Sequence, residues 1–202
     1  MKKRDRVDSA ELLAAGLELM RMNGKPLRKI ESPGRSMVYA LANGKTVRAR
    51  TCNDHVLIVV ADRPAEDAKL NVEGTDYLLI VMPEVERQAG DVIAYLVPAE
   101  IAAEEARQTH KTWLASAPGT KGTNTTWNLW FRADAPGKAS NYAEKWRGFR
   151  LNGTKSTDGL VELAVEPVVQ GGIKAEVENA RRRIAAIAGV PIEAVRITID
   201  FG

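Results

Sequence analysis

DYLLIVMPEVERQAGDVIAYLVP, residues 76–98, is the segment that decides the fold. It contains two runs of almost entirely apolar residues, 77–82 and 91–97, separated by a polar turn. Runs of this length without alternation are typical of strands buried on both faces of a sheet. The run 55–61 has the same character, and we predict that it is also buried on both faces. The sequence therefore predicts an α/β protein with a covered central sheet.

Other elements are predicted around this sheet from capping residues, helical spacing and turn signals. Asp8-Ser9 precedes a leucine stripe and serves as a helix N-cap, while Asn43-Gly44 is a hairpin turn. The predicted elements are a helix over 9–22, strands at 37–41 and 46–51, a helix over 99–115, a strand at 127–131 and a short helix at 142–147.

The last part of the chain has a pattern of its own. Residues 160–166 alternate as a strand does, 174–188 have helical spacing, and Val195, Ile197 and Ile199 share one face of a last strand. One helix on two strands leaves too little core to stand alone. We therefore divide the chain into a core domain, 1–156, and a β-α-β extension, 157–202, which extends the main sheet or makes a homodimer contact.

Composition limits the possible classes of protein. The chain has 202 residues, of which 45% are hydrophobic and 27% are charged, as in ordinary globular domains. Cys52 is the only cysteine and there are two histidines, so an internal disulfide is impossible and a zinc site is disfavoured. No apolar run approaches the ~18–20 residues of a membrane helix, and Glu11 and Glu18 argue against a signal peptide. We expect a cytoplasmic protein that is not associated with a membrane.

Charge is distributed unevenly along the chain. The net charge is +3, yet residues 1–50 hold 12 Lys/Arg against 5 Asp/Glu, whereas residues 51–202 hold 17 against 21. A basic end on a nearly neutral body attracts polyanions. The alternative is a solvated basic tail with scattered surface charge.

The order of helix, three-strand meander, further strands and helix resembles the core of PD-(D/E)XK nuclease-like proteins over about residues 9–151. The phrases 76–83 and 91–98 are similar to a recurring one in that superfamily, in which a strand ends in Val/Ile-Pro before a helix. Residues 110–114 and Lys145-Trp146-Arg147 look like bacterial members that close with a Trp-bearing helix. The resemblance implies a restriction-endonuclease-like central mixed sheet flanked by helices.

The same resemblance implies a lost active site. In that superfamily a carboxylate on one strand and an E/Q-x-K on the next hold magnesium. Here Arg48 stands where Glu or Gln would be, Arg50 stands where Lys would be, and 37–41 contains no Asp. Two guanidinium groups repel Mg²⁺ but match phosphate oxygens. We therefore expect no metal site, no cofactor and no catalytic residue, and instead a nucleic-acid-binding protein, with DNA favoured over RNA.

The expected nucleic-acid contacts combine basic and aromatic side chains. All four tryptophans fall between Trp113 and Trp146, interleaved with bases, which suits stacking on unpaired bases. At least one face of the strand at 127–131 is expected to be core, which leaves Trp113 and Trp130 as the candidates for exposure. The predicted binding residues are Arg35, Lys45, Arg48, Arg50, Lys121 and Trp130.

Other functions stay open. The chain is alternatively an assembly factor that docks a partner or a second copy through 157–202. It is alternatively a metal-dependent nuclease with displaced ligands among Glu11, Asp54, Asp62 and Asp76. The stretch Cys52-Asn53-Asp54-His55 contains a thiol and an imidazole, but a buried thiol beside a turn explains it equally. Residues 119–124 form a loop that suits phosphate binding or is simply flexible.

Overall fold

The computed structural model describes residues 6–31, 37–116, 123–134, 140–157, 181 and 192–197. Contacts divide the chain into two units, 1–161 and 162–202. No helix among the described residues is long and apolar enough to cross a membrane.

The second unit is described only in part. It contains a short 3-10 helix, Ile192–Ala194, and the Arg181 Nε donates to the Val195 carbonyl oxygen at 2.9 Å. The predicted strand at 160–166 lies outside the described residues. Of the predicted helix over 174–188 only Arg181 is described, and it is helical. Residues 195–197 have no regular structure, so the predicted last strand does not begin at Val195. Sheet extension or dimer contact through this unit stays a prediction.

The first unit contains a mixed six-stranded sheet. In chain order the elements are α1 (Ser9–Met22), β1 (Arg28–Lys29), β2 (Val38–Ala40), β3 (Thr46–Thr51), β4 (Val56–Val60), β5 (Tyr77–Pro83), β6 (Asp91–Pro98), α2 (Ala99–Ser116), β7 (Thr126–Trp130), α3 (Tyr142–Lys145), a 3-10 helix (Arg147–Phe149) and β8 (Lys155–Ser156). The strand order is β1-β2-β3-β5-β6-β8, with β3 and β5 parallel and the other pairs antiparallel. The predicted mixed α/β architecture with flanking helices is confirmed.

Helix α1 covers one face of this sheet. The Asp8 Oδ1 accepts from the Ala10 N–H at 2.7 Å, which caps the helix at the predicted position. Gly16 lies against Val81 of β5 so closely that a Cβ there would be 2.4 Å from the nearest Val81 methyl carbon. The side chains that α1 buries against the sheet include Leu12, Ala15, Leu19 and Met20.

The opposite face of the sheet carries the larger core. Leu78, Ile80 and Met82 of β5 point to this side, because residues two apart on a strand share a face. Small residues of α2 allow the helix to pack closely over them, with Ala102, Ala103 and Ala106 buried. A second, two-stranded sheet formed by β4 and β7 completes the cover.

The prediction that the run 55–61 is buried on both faces is wrong. Leu57 and Val59 are buried, but Ile58 is 51% and Val60 is 41% exposed. Strand β4 leaves the main sheet and pairs with β7, and β5 takes the place beside β3. The expected three-strand meander is therefore interrupted, because a parallel β3–β5 pair needs a crossover and β4 lies within it.

Candidate nucleic-acid interface

Strand β3 directs Arg48 and Arg50 to the side of the sheet opposite α1. Val47 and Ala49 alternate with them and are buried under α1, so the register leaves both arginines on the other face, half-buried. The Arg48 Nη1 donates to the Asn71 carbonyl oxygen at 2.7 Å, and the Arg50 Nη2 donates to the same oxygen at 3.2 Å. Two guanidinium groups thus converge on one backbone acceptor.

The loop between β4 and β5 places that acceptor. The Asn71 Oδ1 accepts from the Val60 N–H at 3.0 Å, and the Asn71 N–H donates to the Val60 carbonyl oxygen at 2.8 Å. The loop is also tied to α2, because the Arg107 Nη2 donates to the Glu73 carboxylate at 2.7 Å and to the Ala68 carbonyl oxygen at 2.9 Å. The Asn71 carbonyl is therefore fixed from both sides.

Neither Arg48 nor Arg50 has a carboxylate at ion-pair distance among the described residues. Their Nε atoms are buried and lack hydrogen-bond partners within the same set of residues. Burial lowers the pKa of Arg50, and the neighbouring Arg48 charge lowers it further. The site therefore holds two like charges that a bound anion would neutralise.

Arg50 also lines an open cleft of about 520 Å³ between the end of β3, the start of β4 and the N-terminus of α1. Arg6 lines the same cleft and pairs with Asp54 at 2.7 Å. Asp54 is also in contact with Arg87, so its charge is already balanced. Arg50 is therefore the member of the pair that borders this cleft.

Lys45, another predicted phosphate contact, does not join this pair. Lys45 lies at the β2–β3 turn with its Nζ 5.4 Å from the centre of the Tyr77 ring. At ~3.3 Å per residue it is about 17 Å along β3 from Arg50. Arg35 and Lys121 lie outside the described residues.

The thiol and imidazole near the β3–β4 turn do not form a nucleophilic pair. Cys52 is buried, and that burial raises the pKa of its thiol to about 12. The His55 Nε2 lies 2.7 Å from the Pro83 carbonyl oxygen and is engaged there. The interpretation as a small buried thiol is confirmed.

Three of the four carboxylates considered as displaced metal ligands, Asp54, Asp62 and Asp76, are engaged elsewhere. The Asp76 Oδ2 accepts from the Thr46 N–H and hydroxyl, each at 2.8 Å, and these hydrogen bonds lower the pKa of Asp76. The Asp62 Oδ1 accepts from the Lys69 N–H at 3.0 Å. Among the described residues, no three His, Cys, Asp or Glu side chains form a group that could hold a metal ion.

The tryptophans divide into buried and accessible rings. Trp127 and Trp146 are core residues, whereas Trp113 is 40% exposed and Trp130 is half-buried. The predictions that one face of β7 is core and that Trp113 is accessible are confirmed. The Trp130 ring is covered on one side by Arg132, whose guanidinium carbon lies 4.8 Å from the ring centre.

Three residues of these sites were not predicted from the sequence. Asn71 has no local signal, because it acts through its backbone carbonyl and only the folded loop brings it under Arg48 and Arg50. His110 stacks between Trp113 and Trp127, with ring centres 5.6 and 4.4 Å away. Asn128 carries a buried Oδ1 without a partner in the described chain, and its signal was a polar residue on an otherwise apolar strand.

Comparison with protein-family models, with curated proteins and with solved structures returns no match to this chain.

Proposed function

We propose that the chain is a nucleic-acid-binding protein built on a catalytically inactive, restriction-endonuclease-like fold. The mixed sheet supports this fold, since β3 and β5 form a parallel pair at the centre of a sheet covered by helices, while the expected three-strand meander is interrupted by the departure of β4. The resemblance places Arg48 and Arg50 at the E/Q and K positions of the nuclease motif. Arginines at these positions support a loss of cleavage and a retained ability to bind phosphate.

The observation that carries the proposal is the arginine pair Arg48 and Arg50, which has no counter-ion among the described residues. A half-buried guanidinium without a counter-ion raises the free energy of the folded state unless a bound anion replaces the lost hydration. Within the described part of the chain, the Arg48 and Arg50 guanidinium groups share a single carbonyl acceptor, so several of their N–H donors remain for phosphate oxygens. A phosphodiester backbone supplies such anions at regular spacing.

The test compares two double variants of equal charge. R48M/R50M removes the proposed phosphate contacts, whereas R28M/K29M removes two exposed bases from β1. Binding of fluorescein-labelled single-stranded and duplex DNA and RNA is measured by anisotropy between about 50 and 200 mM salt. We expect R48M/R50M to weaken binding at least about tenfold and to flatten the slope of log K against log salt by about one to two. R28M/K29M, which removes the same charge from the basic region 1–50 but no proposed contact, is expected to weaken binding by less than about threefold.

Absence of binding to every nucleic acid at ~50 mM salt, or equal losses in the two double variants, would contradict the proposal. Plasmid cleavage is assayed in parallel with Mg²⁺ and Mn²⁺, and no product is expected. Cleavage that disappears in D54A or D76A would instead support the alternative with displaced ligands.

A further inference from the structure

A cleft of about 510 Å³ lies between α2, β7 and α3, on the far side of β7 from β4. We refer to it as the α2–β7 cleft. Its volume falls within the roughly 300–1,000 Å³ that is usual for sites of small organic groups. Its lining includes Thr109, His110, Trp113, Trp127, Asn128 and Tyr142.

One wall of the cleft is a stack of three rings. Trp113, His110 and Trp127 lie nearly parallel, with interplanar angles of 25° and 14° between successive rings. Trp127 ends the stack in the core, and Trp113 ends it at the surface, where it is 40% exposed. A pre-built stack with an accessible terminal ring is suited to a further planar ring, because offset stacking and apolar burial both favour it.

A second wall is the edge of β7 that faces away from β4, and this edge is bridged to Asn141 at Trp130. The Phe131 N–H donates to the His55 carbonyl oxygen and the Ala61 N–H donates to the Thr125 carbonyl oxygen, each at 2.8 Å. These bonds show which residue pairs of the β4–β7 ladder are hydrogen-bonded and which are not. In an antiparallel ladder the N–H and C=O groups of the intervening residues then point away from β4. For Asn128 these two groups have no hydrogen-bond partner among the described residues.

The side chain of Asn128 adds to its two backbone groups. Its Oδ1 is buried and lacks a partner in the described part of the chain. A buried polar atom without a partner raises the free energy of the folded state, so such atoms are uncommon unless a ligand or water satisfies them. Asn128 therefore offers the donors and acceptors that the edge of a heterocycle would need.

The floor of the cleft is polar but internally neutralised. The Tyr142 hydroxyl lies 2.5 Å from the Thr109 Oγ1 and donates to the Glu105 carboxylate at 3.1 Å, and the Lys145 Nζ contacts the same carboxylate at 2.6 Å. Burial raises the pKa of Tyr142 to about 12, so the hydroxyl keeps its proton. With its charges paired, this floor favours an uncharged ring over a phosphate.

We propose that the α2–β7 cleft binds an unpaired nucleobase, stacked on Trp113 and hydrogen-bonded through Asn128. This rests on the proposed function, and it assigns the base of a single strand to a site separate from the arginine pair. The two sites lie at opposite edges of the β4–β7 ribbon, because Asn71, the acceptor of both arginines, is bonded to β4 at Val60. Phosphate and base contacts are therefore predicted to be separable by mutation.

The test uses the full chain and two labelled strands of equal length and charge, oligo(dT) and its abasic counterpart. Anisotropy gives the affinity of the parent protein, W113A, N128L, R48M/R50M and the control V85A, which shortens an exposed residue that is not part of the cleft. We expect the parent to bind oligo(dT) about tenfold more tightly than the abasic strand, the equivalent of ~1.4 kcal/mol. W113A and N128L should remove this difference, whereas R48M/R50M should weaken both strands alike and V85A neither.

Nucleosides separate this inference from the proposed function, since they carry a base without a phosphate chain. Binding of adenosine or thymidine, detected by saturation-transfer NMR and lost in W113A and N128L, would support the cleft even if no strand bound. Equal affinity for the two strands in the parent, or unchanged preference in W113A and N128L, would overturn the base site while leaving phosphate binding intact. A failure to bind either strand or any nucleoside would overturn both the proposed function and the base site.

Binding of an extended (Thr-Val)₄ peptide with no response to nucleosides would overturn the base site in favour of strand addition at β7.

Discussion

Arg48 and Arg50, two residues apart on β3, donate to one carbonyl oxygen, that of Asn71. A single neutral acceptor cannot balance two half-buried cations, and each Nε is left without a partner among the described residues. Arg107, also half-buried, has the Glu73 carboxylate and two carbonyl oxygens as partners. The contrast between the two settings gives a stability test that does not require a ligand.

We predict that R48M/R50M changes the free energy of unfolding by less than about 1 kcal/mol, or increases it. Methionine keeps an apolar stem, and replacement of poorly compensated half-buried charges by apolar groups is often neutral or stabilising. R107M should lower the free energy of unfolding by about 1–3 kcal/mol, because it leaves Glu73 and the loop carbonyls without their donor. Urea unfolding followed by circular dichroism measures both.

A loss in R48M/R50M as large as that in R107M would identify the arginines as structural clamps. The proposed function would then lose its main support, since the two charges would be explained by the fold alone.

The orientation of Arg48 and Arg50 could be predicted from the sequence because strand alternation is a local property. Val47 and Ala49 alternate with them, so one face of β3 had to be core. The strand that pairs with β4 could not be predicted, because the hydrophobicity of a strand does not determine its pairing partner. Exposure of Ile58 and Val60 follows from that pairing and not from their own hydrophobicity.

The same distinction applies to the candidate sites. The cluster of tryptophans was visible in the sequence, but the stack of Trp113 on His110 depends on α2 lying across β7. Asn71 was invisible because its contribution is a backbone oxygen whose position is set by Val60 and the loop. Local sequence patterns do not predict contacts between residues that are far apart in the sequence.

Gly16 provides a test of the packing of α1 on the sheet. In G16A the new methyl would lie 2.4 Å from the nearest Val81 methyl carbon, and Val81 is fully buried. We expect a loss of about 1–2 kcal/mol in the free energy of unfolding, because overpacking outweighs the gain in helix propensity. G148A is the control, since no atom lies within 4 Å of its added methyl.

The double variant G16A/V81A should lose less free energy of unfolding than the sum of the losses in G16A and V81A, because shortening Val81 removes the clash. Thermal or urea unfolding of the four proteins measures this coupling. Strict additivity, or no loss in G16A, would show that Gly16 of α1 does not lie against Val81 of β5.

Cys52 should be unreactive in the folded protein. Burial raises its pKa to about 12, and the thiol is the weakly nucleophilic form. We expect no reaction with an excess of a disulfide reagent at pH 8 within an hour, and one thiol per chain after addition of urea. Rapid reaction of the native protein would instead place the sulfur at an accessible surface and reopen a role in chemistry.

His110 should make stability depend on pH between pH 7 and 5. Burial between Trp113 and Trp127 lowers its pKa below the ordinary value of 6.5, so the unfolded chain binds the proton more readily than the folded one. The free energy of unfolding should therefore fall as pH drops through 6.5 and level off below the pKa of the folded state. The variant H110F keeps a ring in the stack without a titrating group and should lose this part of the pH dependence. Urea unfolding of the parent protein and H110F at pH 7.5 and 5.0 isolates the contribution of His110, because the carboxylates contribute equally to both proteins. An identical pH dependence in the two proteins would mean that the imidazole is hydrated and not enclosed by the two indoles.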